Sequence, residues 1–122
     1  MPAEFLTEEQ KTQYGCFSGE PNEVQLARYF HLDDTDLQLI NKRRRDYSRL
    51  GFALQLTTVR FLGTFLPDPI EVPRGVLHFI SRQLSITDLD CLHQYMERYA
   101  TRYEHSKEIQ TFYGYHEFNV PP

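Results

Sequence analysis

The sequence predicts an all-α fold, a compact multi-helix domain of six or seven helices with helix-turn-helix-like pairs around a long central helix. Three observations predict it. Apolar residues recur at helical spacing throughout, no strand-like alternation of any length appears, and capping residues stand ahead of most of the periodic stretches. The 122 residues are read as a single domain over 1–122. That length buries roughly two-thirds of the unfolded surface without disulfide or metal staples.

Thr7 and Gln10 have the spacing of a capping box, so a short helix is expected to about Tyr14, ended near Gly15. Gly19 and Pro21 mark a turn. Asn22 and Gln25 repeat the capping pattern, and Val24, Leu26, Ala27 and Phe30 give a short amphipathic helix. Asp33 or Asp34 caps the next one, whose acidic first turn suits the helix dipole. Leu37 and Ile40 step along one face of it, and the basic run from Lys42 to Arg45 falls at its C-terminal end, where cations are favoured.

A long helix is expected from Tyr47 to Leu66. Leu50, Ala53, Leu54, Phe61 and Phe65 make one apolar stripe, and Phe52, Leu56, Val59 and Leu66 make another, so this helix is buried on most sides. Pro67, Pro69 and Pro73 stiffen the connection to the next helix. Pro73 opens that helix at N-cap or N1, with Val76, Leu77, Ile80 and Leu84 facing inward. The chain breaks at Ser85-Ile86-Thr87, where Ser85 stands in the left-handed position that glycine commonly fills. Thr87 is expected to cap a helix carrying Leu89, Leu92, Met96 and Tyr99. A last helix from about Arg102 to Tyr113 places His105, Ile109 and Phe112 on one side, and Gly114 ends it. Val120-Pro121-Pro122 reads as a linker into a longer polypeptide. Two helix-turn-helix pairs result: Asn22–Phe30 with Asp34–Arg45, and Arg74–Leu84 with Thr87–Tyr99.

Apolar content of 40% and charged content of 25% are ordinary for a soluble globular chain. Cys16 and Cys91 have no metal-like spacing and read as small apolar groups in a reducing compartment. No targeting segment opens the chain, and the most apolar window, 50–66, contains Gln55 and Arg60 and is too short for a bilayer. A cytoplasmic protein is expected, with no membrane partner. The net charge is −4, but it is unevenly laid out: −6 over residues 1–41, +5 over 42–82 and −3 over 83–122. A basic middle between acidic flanks makes a local positive patch.

Enzymatic constellations are absent from the pattern. His31, His78, His93, His105 and His116 form no pair at i, i+4 and share no metal spacing with a cysteine. Asp33, Asp34 and Asp36 are explained by a helix N-terminus, and Gly51, Gly63 and Gly75 form no phosphate loop. No catalytic residue, metal or cofactor is expected. The cations are more informative. Lys42, Arg43, Arg44, Arg45 and Arg49 cluster at a helix end and the start of the next element, where they can meet phosphates. Arg60, Arg82, Arg98, Arg102 and Lys107 are secondary candidates for DNA contact. Asp88 and Asp90 make the helix after Ser85 a poor approach to a phosphate backbone, so base reading is not assigned to it.

Leu26-Ala27-Arg28-Tyr29-Phe30, Asp36-Leu37 with Ile40, and Arg43-Arg44-Arg45 carry a resemblance that continues through Arg49-Leu50-Gly51-Phe52-Ala53-Leu54-Gln55-Leu56. Arg60-Phe61-Leu62-Gly63, Val72-Pro73, Arg82-Gln83-Leu84, Thr101-Arg102-Tyr103-Glu104-His105 and Gly114-Tyr115 extend it over Leu6 to Phe118. The combination resembles the N-terminal domain of bacterial replicative transposases of the Tn-three family. The resemblance implies a helical region that recognises the terminal inverted repeats of a transposon in double-stranded DNA during DNA transposition. It implies further domains downstream, among them an Asp-Asp-Glu metal site for strand transfer that this chain does not contain. It also implies a bacterial protein, associated with the nucleoid when bound to DNA, with a homodimer as a candidate state of the full-length protein. The rival expectation is an assembly module of the same transposase without DNA contact, docking through Phe112, Tyr113, Tyr115 and Phe118.

Overall fold

The computed structural model describes residues 19–65 and 72–113, and its regular elements there are all helical. Six α-helices are seen: α1 Glu23–Tyr29, α2 Asp34–Ile40, α3 Asp46–Leu62, α4 Arg74–Leu84, α5 Leu92–Met96 and α6 Tyr99–Phe112. A 3₁₀ turn, Leu89–Cys91, leads into α5. The helix expected after Thr7 and the linker expected at Val120 lie outside the described residues.

The caps explain where the first helices start. Asn22 Oδ1 accepts from the Gln25 amide at 2.8 Å while the Asn22 amide donates to Gln25 Oε1 at 2.9 Å. Asp33 and Asp36 repeat this exchange at the head of α2, at 2.8 and 3.1 Å. Each box satisfies two backbone N–H groups that a helix terminus would otherwise leave unpaired.

α2 stops at Ile40, so the basic run is not the end of a helix but a loop, residues 41–45, between α2 and α3. α3 also stops earlier than the apolar pattern suggests. Gly63 takes φ 80°, and its amide closes on the Val59 carbonyl at 2.8 Å. A left-handed glycine is a common helix terminator, so the pattern through Phe65 and Leu66 outlasts the helix itself. Phe65 still packs against the core from the loop.

At the end of α4, Ser85 adopts φ 59°. The Ile86 amide reaches back to the Ser81 carbonyl at 3.0 Å, a Schellman closure that buries Ile86 against the helix end. Thr87 does not cap the next element. Asp88 does, accepting from the Asp90 amide at 3.1 Å, and the expected single helix from Thr87 to Tyr99 is instead a 3₁₀ turn and the five-residue α5. α6 starts at Tyr99 rather than Arg102, leaving Tyr99 68% exposed rather than in the apolar row assigned to it. Phe112 is likewise 39% exposed, whereas its expected face-mates His105 and Ile109 are buried.

α3 is the centre of the domain, contacted by α1, α2, α4, α5 and α6. Leu50, Phe52, Ala53, Leu54, Leu56, Val59, Phe61 and Leu62 are essentially sealed from solvent. The larger of these side chains each contribute roughly 1.5–3 kcal/mol by leaving water. Phe61 receives Tyr29 edge-on at 5.1 Å and Phe30 at 5.3 Å, which seats the end of α1 on α3. Gln83 of α4 grips the link between α1 and α2: its Nε2 donates to the Phe30 carbonyl at 2.9 Å and its Oε1 accepts from the Leu32 amide at 2.8 Å.

Candidate nucleic-acid interface

The loop 41–45 divides its cations by direction. Arg43 turns inward. Its guanidinium lies 4.0 Å from the centroid of the Phe52 ring, donates to the Leu39 carbonyl at 2.6 Å and pairs with Glu108 of α6. Lys42, Arg44 and Arg45 turn outward and are exposed. The Arg45 carbonyl accepts the first intrahelical bond of α3, from the Arg49 amide at 2.9 Å, so the exposed cations are fixed at the end of a buried helix.

Arg49 sits one turn further on, held by Asp46 at 3.1 Å and by Asn41 at 3.3 Å. Arg98, the residue before α6, places its guanidinium 5.3 Å from the Tyr47 centroid and so joins the same end of α3. A cation at a helix N-terminus opposes the helix dipole. Lys42, Arg44 and Arg45 therefore gain nothing from α3, and an approaching anion would relieve that cost.

The remaining candidates lie elsewhere. Arg60 is a structural staple near the other end of α3, about 20 Å along the helix from Arg45. Its guanidinium pairs with the buried Asp36 at 2.8 Å, donates to the His31 carbonyl at 3.1 Å and donates through Nε to the Tyr113 hydroxyl at 2.9 Å. Arg82 is exposed on α4 beside Gln83, hence near the α1–α2 link and that same far end. Arg102 and Lys107 stand on α6 beside the rings of Tyr99 and Tyr103. Of the four aromatic residues assigned to docking, Phe112 is partly exposed, Tyr113 is tied to Arg60, and Tyr115 and Phe118 lie outside the described residues.

The titratable groups in the interior are structural. Gln55 Nε2 donates to the Tyr95 hydroxyl at 2.6 Å, and that hydroxyl lies 2.8 Å from His105 Nδ1. Burial, and then the Arg43 charge, push the His105 pKa down from 6.5 to about 4. The ring is therefore neutral near pH 7 and shares a hydrogen bond with the Tyr95 hydroxyl through Nδ1. Burial, then the carboxylates of Asp88 and Asp46, raise the Cys91 pKa, which keeps that thiol protonated and unreactive. Among the described residues no group of three His, Cys, Asp or Glu side chains could hold a metal ion, and no helix is long and apolar enough to cross a membrane.

The roles of Arg43, Arg60 and Gln83 are not visible in the sequence, because spacing does not show whether a cation or amide points inward. Asp36 gave no signal either, because its place in the capping box already accounts for an acid there.

The chain matches, over residues 5–122, the family described as a domain of unknown function, DUF4158. It is 58% identical over its whole length to the transposase for transposon gamma-delta of Escherichia coli (strain K12). It is 34% identical over 96% of its length to the transposase for transposon Tn1546 of Enterococcus faecium, and 41% identical over 71% to that for transposon Tn501 of Pseudomonas aeruginosa. The chain spans only 12%, 12% and 9% of those three relatives. The chain belongs to the DUF4158 family and corresponds to the N-terminal region of Tn-three family transposases.

Proposed function

We propose that this transposase N-terminal domain is a sequence-specific double-stranded DNA-binding module that recognises the terminal inverted repeats of a transposon. Strand-transfer chemistry lies in other parts of the longer protein, with which the domain works and which has a homodimer as a candidate state. The observation that carries the reading is the loop 41–45, whose Lys42, Arg44 and Arg45 point outward from the end of a buried helix. Arg49 and Arg98 extend the same surface, which meets duplex phosphates. Arg82, at the far end of the domain, reaches a separate stretch of backbone. Arg43 and Arg60 hold the surface in shape and do not meet phosphate.

Each phosphate contact contributes about 0.9 to the slope of log affinity against log salt. Replacing Lys42, Arg44 and Arg45 together by alanine is expected to flatten that slope by two to three contacts' worth, roughly 2–3, while the fold survives. The measurement is affinity for a duplex selected from a random library, titrated across salt and compared with the parent chain. An unchanged slope assigns the phosphate contacts to another surface.

A further inference from the structure

α6 has two unlike flanks. With 3.6 residues per turn, Tyr99, Tyr103 and Lys107 fall along one side of its outward face, Glu104 and Glu108 fall along the other, and the half-buried Arg102 stands where the first side borders the core beside Ile109. Tyr99 is 68% exposed and Tyr103 51%, although both rings carry enough apolar area for a core to use. The core uses His105 and Ile109 instead. The two tyrosine rings lie 6.4 Å apart between centroids, with planes inclined by 24°. Arg102 stands 5.4 Å from the first centroid and Lys107 5.5 Å from the second. Each exposed ring therefore has a cation beside it, and neither carboxylate of the helix shares that flank.

We propose that this ridge is a second nucleic-acid surface that takes single-stranded DNA, with Tyr99 and Tyr103 stacking on unpaired bases and Arg102 and Lys107 meeting the adjoining phosphates. Every nucleotide of a single strand offers one aromatic face and one negative charge, the pair of features that this flank complements. A duplex hides its base faces within the stack and offers base edges and backbone but no free ring face. The two rings form an offset aromatic pair, so together they offer a platform on which bases stack. The inference rests on the reading of the chain as a nucleic-acid-binding module, but it names a different surface. The cationic loop is tied through Arg43 to Glu108, on the opposite flank of α6.

The test measures binding of the chain to an oligothymidylate of about 15 nucleotides and, in parallel, to duplex DNA. Tyr99→Ala with Tyr103→Ala is expected to weaken oligothymidylate binding at least about thirtyfold, the lower bound for losing two base–ring stacks, with duplex affinity unchanged. Tyr99→Phe with Tyr103→Phe is expected to retain binding, because stacking needs the ring and not the hydroxyl. The proposal is overturned if the alanine variant binds oligothymidylate as the parent does, if the phenylalanine variant loses as much as the alanine variant, or if duplex and single-strand binding fall together. Oligothymidylate binding without any duplex binding by the parent would overturn the duplex reading alone. Absence of both would overturn both.

Discussion

Gly51 shows how a single residue is dictated by its neighbour. It lies mid-α3, where glycine ordinarily weakens a helix. A β-carbon there would overlap the ring of Tyr95, which is fully buried and hydrogen-bonded to both Gln55 and His105. The ring cannot swing aside without breaking those bonds. Gly51→Ala is therefore expected to destabilise the domain by about 1–3 kcal/mol as overpacking, despite the better helix propensity of alanine; urea denaturation measures it. Among the arginines of the basic run the same contrast holds in another form: Arg43 is half-buried against Phe52 and Glu108, whereas Arg44 and Arg45 are exposed. Four consecutive cations thus divide into one packing residue and three that face solvent, a division set by what lies opposite each one.

Between elements, Arg60 is the main polar tie. It joins α3 to Asp36 of α2, to the carbonyl of His31 in the α1–α2 link and to Tyr113 after α6. Asp36 is buried, so removing its partner strands a charge away from water. Arg60→Met is expected to cost about 3–5 kcal/mol, with part of the loss recovered when Asp36→Asn is added. Thermal unfolding of both variants checks this, and no recovery would mean that the carbonyl and tyrosine contacts dominate. The helices themselves were largely legible. Asn22 and Asp33 cap where their side chains indicated, and Ser85 makes the left-handed turn. The lengths of α2, α3 and α5 were not legible. Apolar periodicity continues wherever the chain packs inward, whereas helices stop at local geometry such as the left-handed Gly63 or the Asp88 turn.

At the scale of the molecule, acid stability depends on the neutral His105 at the α3–α6 junction. Its folded pKa is about 4 against an ordinary 6.5, lowered by burial first and by Arg43 second. The unfolded chain takes up this proton as pH falls through 6.5, and the folded chain resists until about 4. Stability is therefore full above pH 6.5 and is lost as pH falls from 6.5 towards 4. Between pH 7 and 5 the expected loss from this group is about 2 kcal/mol. Chemical denaturation at the two pH values, compared with His105→Gln, isolates it: the variant should show a smaller pH effect. The domain also keeps its cations apart in space. The exposed loop cations lie at one end of α3, Arg60 and Arg82 near the other, and Arg102 and Lys107 on a flank of α6. One net charge of −4 therefore conceals cations placed in separate parts of the fold.

The sequence by itself determined the helical class, the central apolar helix, the caps of α1 and α2 and the basic middle segment, because these depend on periodicity, local hydrogen bonding and composition. It also carried the family resemblance. Only the tertiary structure decided which cations face solvent, which titratable groups are sealed inside and which aromatic rings of α6 are left outside. Those outcomes depend on partners distant in sequence, such as Glu108 for Arg43, Asp36 for Arg60 and Tyr95 for Gly51. Local spacing holds no information about contacts that form only when the helices pack.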